Sequence, residues 1–241
     1  MRLLDKHFLV TGAGSGIGRA VAIALAAEGA RVSLLGRDLT KLSITAALLG
    51  AGVGDSFSVN LAYREAIMRF AQQFWSSGMH LHGLVHAAGE YHRGAIREAL
   101  PTAAGALLSV NSCGPLLLTS ALLPRLRQQQ GDVVFVNSLE TFHGCAGVAE
   151  YAMANAANRA LAESLRAEEN AQGVRVTSIY VGQTATPMQE RVAREEGHAY
   201  HPERLLQPVD VAAAIIAAVT LPHTAEVTDI HIRPSRPAVT L

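Results

Sequence analysis

Eight residues near the start of the chain, Thr11-Gly12-Ala13-Gly14-Ser15-Gly16-Ile17-Gly18, form the first pattern able to do chemistry. Glycines let a backbone turn tightly and approach a pyrophosphate, which then rests on the positive end of the following helix. The spacing is G-x-x-x-G-x-G, on Gly12, Gly16 and Gly18, and departs from the common G-x-G-x-x-G fingerprint. Lying between an apolar strand and an apolar helix, the turn makes Gly12, Ser15, Gly16, Ile17 and Gly18 candidate cofactor-binding residues. The end of the second predicted strand chooses between NAD and NADP. A carboxylate there would hold the free ribose 2′-hydroxyl and repel a 2′-phosphate. This chain has Gly36 instead, then Arg37, and Lys41 a turn further on. Arginine holds a phosphate through two parallel hydrogen bonds, so NADP is expected ahead of NAD. Asp38 directly after Arg37 also suits an ordinary surface arginine at a helix start.

A second constellation lies downstream, where Ser138 follows a predicted strand and Tyr151 begins the next helix. Hydride arriving at a carbonyl carbon leaves charge growing on the oxygen. Two hydroxyls aimed at that oxygen stabilise the charge, and one must hand over a proton. Taken alone, a serine and a tyrosine in such positions are more often capping or packing residues, so their weight comes from context.

The elements that must position these groups alternate along the chain. Short apolar runs at residues 7–11, 31–35, 54–59, 81–86, 132–137, 175–180 and 228–232 predict strands. Stretches at helical spacing over residues 17–28, 39–49, 64–76, 102–128, 152–170 and 210–219 predict helices. Continuously apolar strands joined by helical crossovers imply an α/β fold. The expected form is one doubly wound Rossmann-type domain over residues 1–241, a seven-stranded parallel sheet with helices on both faces. In such a sheet the ligand crevice lies at the carboxyl ends of the strands. The polar stretch 184–208, broken by Pro187, Pro202 and Pro208, follows a strand and is expected to act as a substrate lid or as a solvated connection.

Composition narrows the classes of function. Twenty Lys and Arg balance twenty Asp and Glu, so no nucleic-acid partner held by phosphate neutralisation is expected. With 49% hydrophobic and 17% charged residues, the chain suits a large buried core. The longest apolar run, residues 211–219, is far short of the roughly 20 residues of a membrane span. Arg2, Asp5 and Lys6 leave no apolar leader before Thr11, and Cys113 and Cys145 have no metal-ligand spacing. A cytoplasmic protein with no metal and no membrane partner is expected.

Taken together, the motifs resemble the short-chain dehydrogenase/reductase family over essentially the whole chain. They run in family order: TGAGSGIG at 11–18, Asn60-Leu61 after the third strand, H-A-A-G at 86–89 and V-N-x-x-G at 110–114. Ser138, Y-x-x-x-N at 151–155 and T-A-T-P-M at 184–188 follow. The resemblance implies hydride transfer between NAD(P) and a carbonyl or alcohol. It implies that Asn60, with Leu61 beside it, faces the adenine, and that the backbone around His86, Ala88 and Gly89 lines the cofactor. It further implies that Asn111 supports a proton relay and that Thr184 reaches the nicotinamide carboxamide. Ser138 would steady the substrate oxygen and Tyr151 would exchange its proton.

Asn155 breaks the pattern, because the family carries a lysine four residues after the tyrosine. Asparagine can position ribose hydroxyls, but it supplies no charge to lower the tyrosine pKa. A unit charge near 4 Å is worth roughly 4 kcal/mol at an effective dielectric of about 20, almost three powers of ten in rate. Alcohol oxidation needs tyrosinate, whereas carbonyl reduction starts from the abundant neutral phenol, so reduction is favoured. Arg159, a turn beyond Asn155, and His143, after Ser138, are the candidate substitute cations or acids. His86 stands where the family has asparagine and suits a structural hydrogen bond. Glu140 faces either the substrate, disfavouring anions, or water.

Two functions from different classes fit the chain. One is an NADP(H)-dependent reductase of a small carbonyl compound, run in reverse on the alcohol, with Tyr151, Ser138, Asn111 and Asn155 as its catalytic set. The other is a catalytically impaired dinucleotide-binding protein serving as a sensor or partner subunit. The apolar stretches 102–126 and 152–165 correspond to helices through which family members pair, so a homodimer or homotetramer is expected.

Overall fold

The computed structural model describes residues 1–235. Seven strands form a single parallel sheet: β1 His7–Thr11, β2 Arg31–Gly36, β3 Val53–Ser58, β4 Gly83–His86, β5 Asp132–Ser138, β6 Arg175–Val181 and β7 Asp229–Ile232. Their order is β3-β2-β1-β4-β5-β6-β7, so the winding reverses between β1 and β4. A crevice opens at that point, beyond the strands' carboxyl ends. The helices are α1 Gly16–Ala27, α2 Leu39–Leu49, α3 Arg64–Ser76, α4 Pro101–Leu108, α5 Gly114–Gln129, α6 Ala149–Glu169, α7 Pro187–Glu195 and α8 Pro208–Val219.

The inner strands, β1, β2, β4, β5 and β6, are buried on both faces because both faces are covered. Phe8, Val10 and Val134 pack with Val21 and Leu25 of α1 and with Ile215 of α8. Their neighbours Leu9, Val133 and Phe135 point the other way, onto Phe70 of α3, Leu118 and Leu122 of α5 and Leu165 of α6. The side-chain period of two divides one continuous run between two cores.

The stretch predicted as one helix over 102–128 is interrupted. A π-turn, Ser109–Cys113, separates α4 from α5. Its cause is readable: Pro115 lacks an N–H, so it cannot give the carbonyl of Asn111 the usual bond from four residues on. The side-chain amide of Asn158, on α6, donates to that carbonyl. Pro101–Gln129, 29 residues, is long and apolar enough by length and composition to cross a membrane, but half of its most apolar window is buried. Leu118, Leu122 and Leu126 of this stretch lie in the core beneath the sheet.

At the opposite end of the sheet from the crevice, a buried ion pair ties three elements. Arg175 Nε donates to Asp132 Oδ1 at 2.8 Å, and its other nitrogens donate to the carbonyls of Val219 at the end of α8 and of Leu221 and Ala225 just past it. Burial nonetheless pushes the Asp132 carboxyl up to about 6, against the pull of Arg175.

Candidate active site

The glycine turn is built for close approach. Gly12 has φ +65°, and a Cβ there would stand 2.6 Å from the carbonyl oxygen of Ala87. A Cβ on Gly18 would strike the backbone of Gly12, which brings α1 hard against β1. Ser15 caps α1 without a side-chain hydrogen bond, and no acidic residue stands in the first turn. The leading amides of α1 are thus left to an anion. Ser15, Gly16, Ile17, Asn60, Leu61 and Ala88 are among the residues lining the cleft in front of this turn. A dinucleotide fits this cradle by shape and by chemistry.

Arg37 and Lys41 also line the cleft, at the far end from β5. Arg37 is not free: its guanidinium pairs with Glu90 at 2.5 Å. Glu90 follows Gly89 directly, and sequence reasoning missed it. Asn60 lines the cleft while its Oδ1 accepts from the backbone N–H of Ala62 at 3.0 Å.

His86 departs from the cofactor-lining role drawn from the family. It lines neither this cleft nor the cavity beside it, and the lining begins at Ala87. Its ring is buried, stacked on Phe135 and hydrogen-bonded through Nε2 to Thr119 at 2.8 Å. Burial lowers its pKa to about 3 from an ordinary 6.5. The unfolded chain therefore takes up a proton between those values while the folded chain does not, and stability falls as pH drops through that window. His86→Asn is expected to remove a slope of up to about 1.4 kcal/mol per pH unit. Urea denaturation of both proteins at a series of pH values between 7 and 4 checks it.

The cleft continues into a cavity of about 560 Å³ that gathers Asn111, Ser138, Tyr151, Asn155 and Thr184. Ser138 ends β5 and Tyr151 lies in the first turn of α6, which starts at Ala149 and so earlier than its sequence suggests. Asn111 sits in the π-turn, a feature often found at functional sites. Its side chain clamps Glu90 from both sides, accepting from the N–H and donating to the carbonyl, each at 2.8 Å. Asn155 is buried and donates to the carbonyl of Tyr151 at 2.8 Å. Thr184 donates to the carbonyl of Gly182 at 2.9 Å.

Burial raises the Tyr151 phenol pKa, while hydrogen bonds with the side chains of Ser138 and Asn155 pull it down and the charge of Glu140 pushes it further up. No cation is among the groups that shift it. Arg159 pairs with Glu163 at 2.8 Å and lies over the ring of Phe142, and His143 is exposed. Neither lines the cavity.

Sequence reasoning also missed Asn158, Tyr91 and Arg93. Asn158 lies seven residues after Tyr151 and three after Asn155, so helical periodicity puts all three on one face. Tyr91 packs edge-on against Tyr151, ring centroids 4.9 Å apart. Arg93 crosses the cavity mouth to Glu196 at 2.8 Å. The 184–208 stretch supplies the other wall through Thr186, Met188 and Val192, and nine of its residues form α7.

The sequence model of the short chain dehydrogenase family matches residues 6–197. The chain belongs to the short-chain dehydrogenase/reductase family. A relative in Staphylococcus aureus, named only as an uncharacterized oxidoreductase, is 32% identical over 238 residues, covering 96% of this chain and 98% of that one. A short chain dehydrogenase from Salmonella enterica serovar Typhi superposes with TM-score 0.87 at 27% identity, over 95% of this chain and 96% of that one. A metagenomic short-chain oxidoreductase, solved in complex with NADP, has TM-score 0.84 and 26% identity, over 98% of this chain and all of the other. The residues expected at the family's serine, tyrosine and lysine positions are Ser138, Tyr151 and Asn155.

Proposed function

We propose that the protein is an NADP(H)-dependent reductase of small carbonyl compounds, able to oxidise the corresponding alcohol in reverse. One observation carries this reading: Ser138 and Tyr151 line one cavity, continuous with the glycine-turn cleft, and the Ser138 side chain is close enough to the Tyr151 phenol to pull its pKa down. Gly12, Ser15, Gly16 and Ile17 would hold the pyrophosphate. Arg37 and Lys41 would hold the 2′-phosphate, Asn60 would face the adenine, Asn155 the ribose hydroxyls, and Thr184 the carboxamide. Bound NADPH would supply the hydride.

The protein's own groups handle the oxygen. Ser138 Oγ accepts from the backbone N–H of Glu140 at 3.2 Å, which leaves its O–H to donate toward a developing oxyanion. Tyr151, held neutral by burial, gives its proton to the same oxygen. Asn111 positions the loop at Glu90 through its paired hydrogen bonds and takes no proton itself. The 184–208 stretch serves as the lid. Exposed Ile96 and Leu100 ahead of α4 and Leu116 on α5 give an apolar surface on which two copies would pair.

Binding and single turnover test the reading together. Native protein should quench on binding NADPH more tightly than NADH and oxidise NADPH with a panel of ketones and aldehydes. Tyr151→Phe should bind NADPH equally well and lose turnover by at least about a hundredfold. Equal affinity for the two cofactors would remove Arg37 from its role. Among the described residues no cation shifts the Tyr151 phenol, which favours the second function, a dinucleotide-binding protein of impaired turnover. Tight NADPH binding with no carbonyl reduced would decide for it.

A further inference from the structure

Three carboxylates line the cavity around Ser138 and Tyr151: Glu90, Glu140 and Glu196. Two are matched by cations, Glu90 by Arg37 at 2.5 Å and Glu196 by Arg93 at 2.8 Å. Among the described residues Arg93 is the one cation lining the cavity, and its guanidinium also engages Tyr91 and the carbonyl of Ala146.

Glu140 is left without a cationic partner among the described residues. Its Oε2 is buried and has no hydrogen-bond partner. A buried carboxylate oxygen without a donor costs free energy, and such groups persist where a ligand completes them. The position is also fixed. Glu140 lies two residues after Ser138, and its own N–H is bonded to the Ser138 hydroxyl. Whatever satisfies the carboxylate therefore sits one short linker away from the oxygen that Ser138 and Tyr151 address.

We propose that Glu140 determines specificity, and that the substrate is an amino ketone whose ammonium docks on the Glu140 carboxylate while its carbonyl oxygen lies between Ser138 and Tyr151. This rests on the reductase reading above and narrows its substrate class. The step balances. A hydride from NADPH forms the new C–H bond, and the carbonyl π pair moves to oxygen and takes the proton of Tyr151. NADPH is oxidised to NADP, the ketone is reduced to an amino alcohol, and the tyrosinate regains a proton from water. The ammonium passes through unchanged and does a second job. It cancels the negative charge beside Tyr151, so the substrate brings the positive charge that Asn155 does not.

Calorimetry on NADP-saturated protein tests this with three small ligands of one shape: 1-amino-2-propanol, uncharged 1,2-propanediol and anionic lactate. The amino alcohol should bind about tenfold or more tightly than the diol. Glu140→Gln should erase that difference, and Glu140→Lys should reverse the order toward lactate. Equal binding of amine and diol by the native protein, or an amine preference that survives Glu140→Gln, would overturn the proposal. NADPH oxidation separates the two readings. If uncharged ketones are reduced as fast as amino ketones, the ammonium site falls and the reductase stands. If the amine preference holds while no carbonyl is reduced, the site stands and the reductase falls.

Discussion

Asn155→Lys should speed alcohol oxidation near pH 7 by two to three powers of ten and move its pH profile toward acid. The native phenol is buried, is shifted by no cation among the described residues, and has its pKa raised further by the charge of Glu140. Little of it is ionised at neutral pH, and oxidation requires the ionised form. Asn155 lines the same cavity and its side chain already pulls the phenol pKa down, so an ammonium grown from this position is expected to act on the Tyr151 oxygen. A unit charge at about 4 Å, with an effective dielectric near 20, favours tyrosinate by roughly 4 kcal/mol, and desolvation of the new lysine takes back part of it. The sign follows directly: a neighbouring cation stabilises the anion, so the phenol pKa falls and the base becomes available at lower pH. Ultraviolet difference titration of the phenolate reads the pKa itself, and kcat/KM against pH reads its consequence. A titration that does not move in the variant would sever the link between residue 155 and the phenol. Reduction should gain less, because it starts from the protonated form that the native protein already holds.

Arg175→Met should destabilise the fold by about 3–5 kcal/mol at alkaline pH, with the loss shrinking as pH falls toward 6. Removing the guanidinium leaves Asp132 buried without its partner and unties the carbonyls of Val219, Leu221 and Ala225 from the sheet. Asp132 already titrates near 6 with the arginine present. Without it the carboxyl pKa rises further, so acid neutralises the exposed fault and part of the stability returns. Urea denaturation at pH 7.5 and 5 measures both effects. The double variant Arg175→Met with Asp132→Leu should recover much of the loss, since an apolar pair of similar volume replaces two buried charges. A single variant as stable as the native chain would show that this cluster is not what closes the lower end of the sheet.

What was legible in the sequence is what the chain encodes locally. The glycine turn is read from eight contiguous residues, and the alternation of apolar runs with helical stretches fixes a parallel sheet through handedness. Ser138, Tyr151 and Asn155 fall in one cavity because a strand end and a helix start are enough to aim them. Tertiary pairings were not legible. Nothing near Arg37 in the chain announces Glu90, and Arg93 meets Glu196 from 103 residues away. The His86 ring makes a structural hydrogen bond, as expected of it, but its partner Thr119 stands 33 residues away and nothing near residue 86 announces it. Two signals were present but unread. Thr186-Pro187 is a helix start, with the threonine side chain accepting from the N–H of Gln189, and it opens α7 inside the expected lid. Pro115, read only as part of a long helix, was the mark of the π-turn.

That turn sets the angular register between α4 and α5. Each helical residue advances the chain by about 100° and 1.5 Å, so one residue more or fewer between 109 and 113 would swing α4 through more than a quarter-turn about its axis. A deletion there would change that register while Pro115 still left one helical backbone bond unmade. It would also carry the side chain of residue 111 off its aim at Glu90 and leave the amide of Asn158 pointing at nothing. The irregularity is therefore a counting device: it holds the front of the helix in phase with the crevice and the rear in phase with the core, which no uniform spiral through both could do.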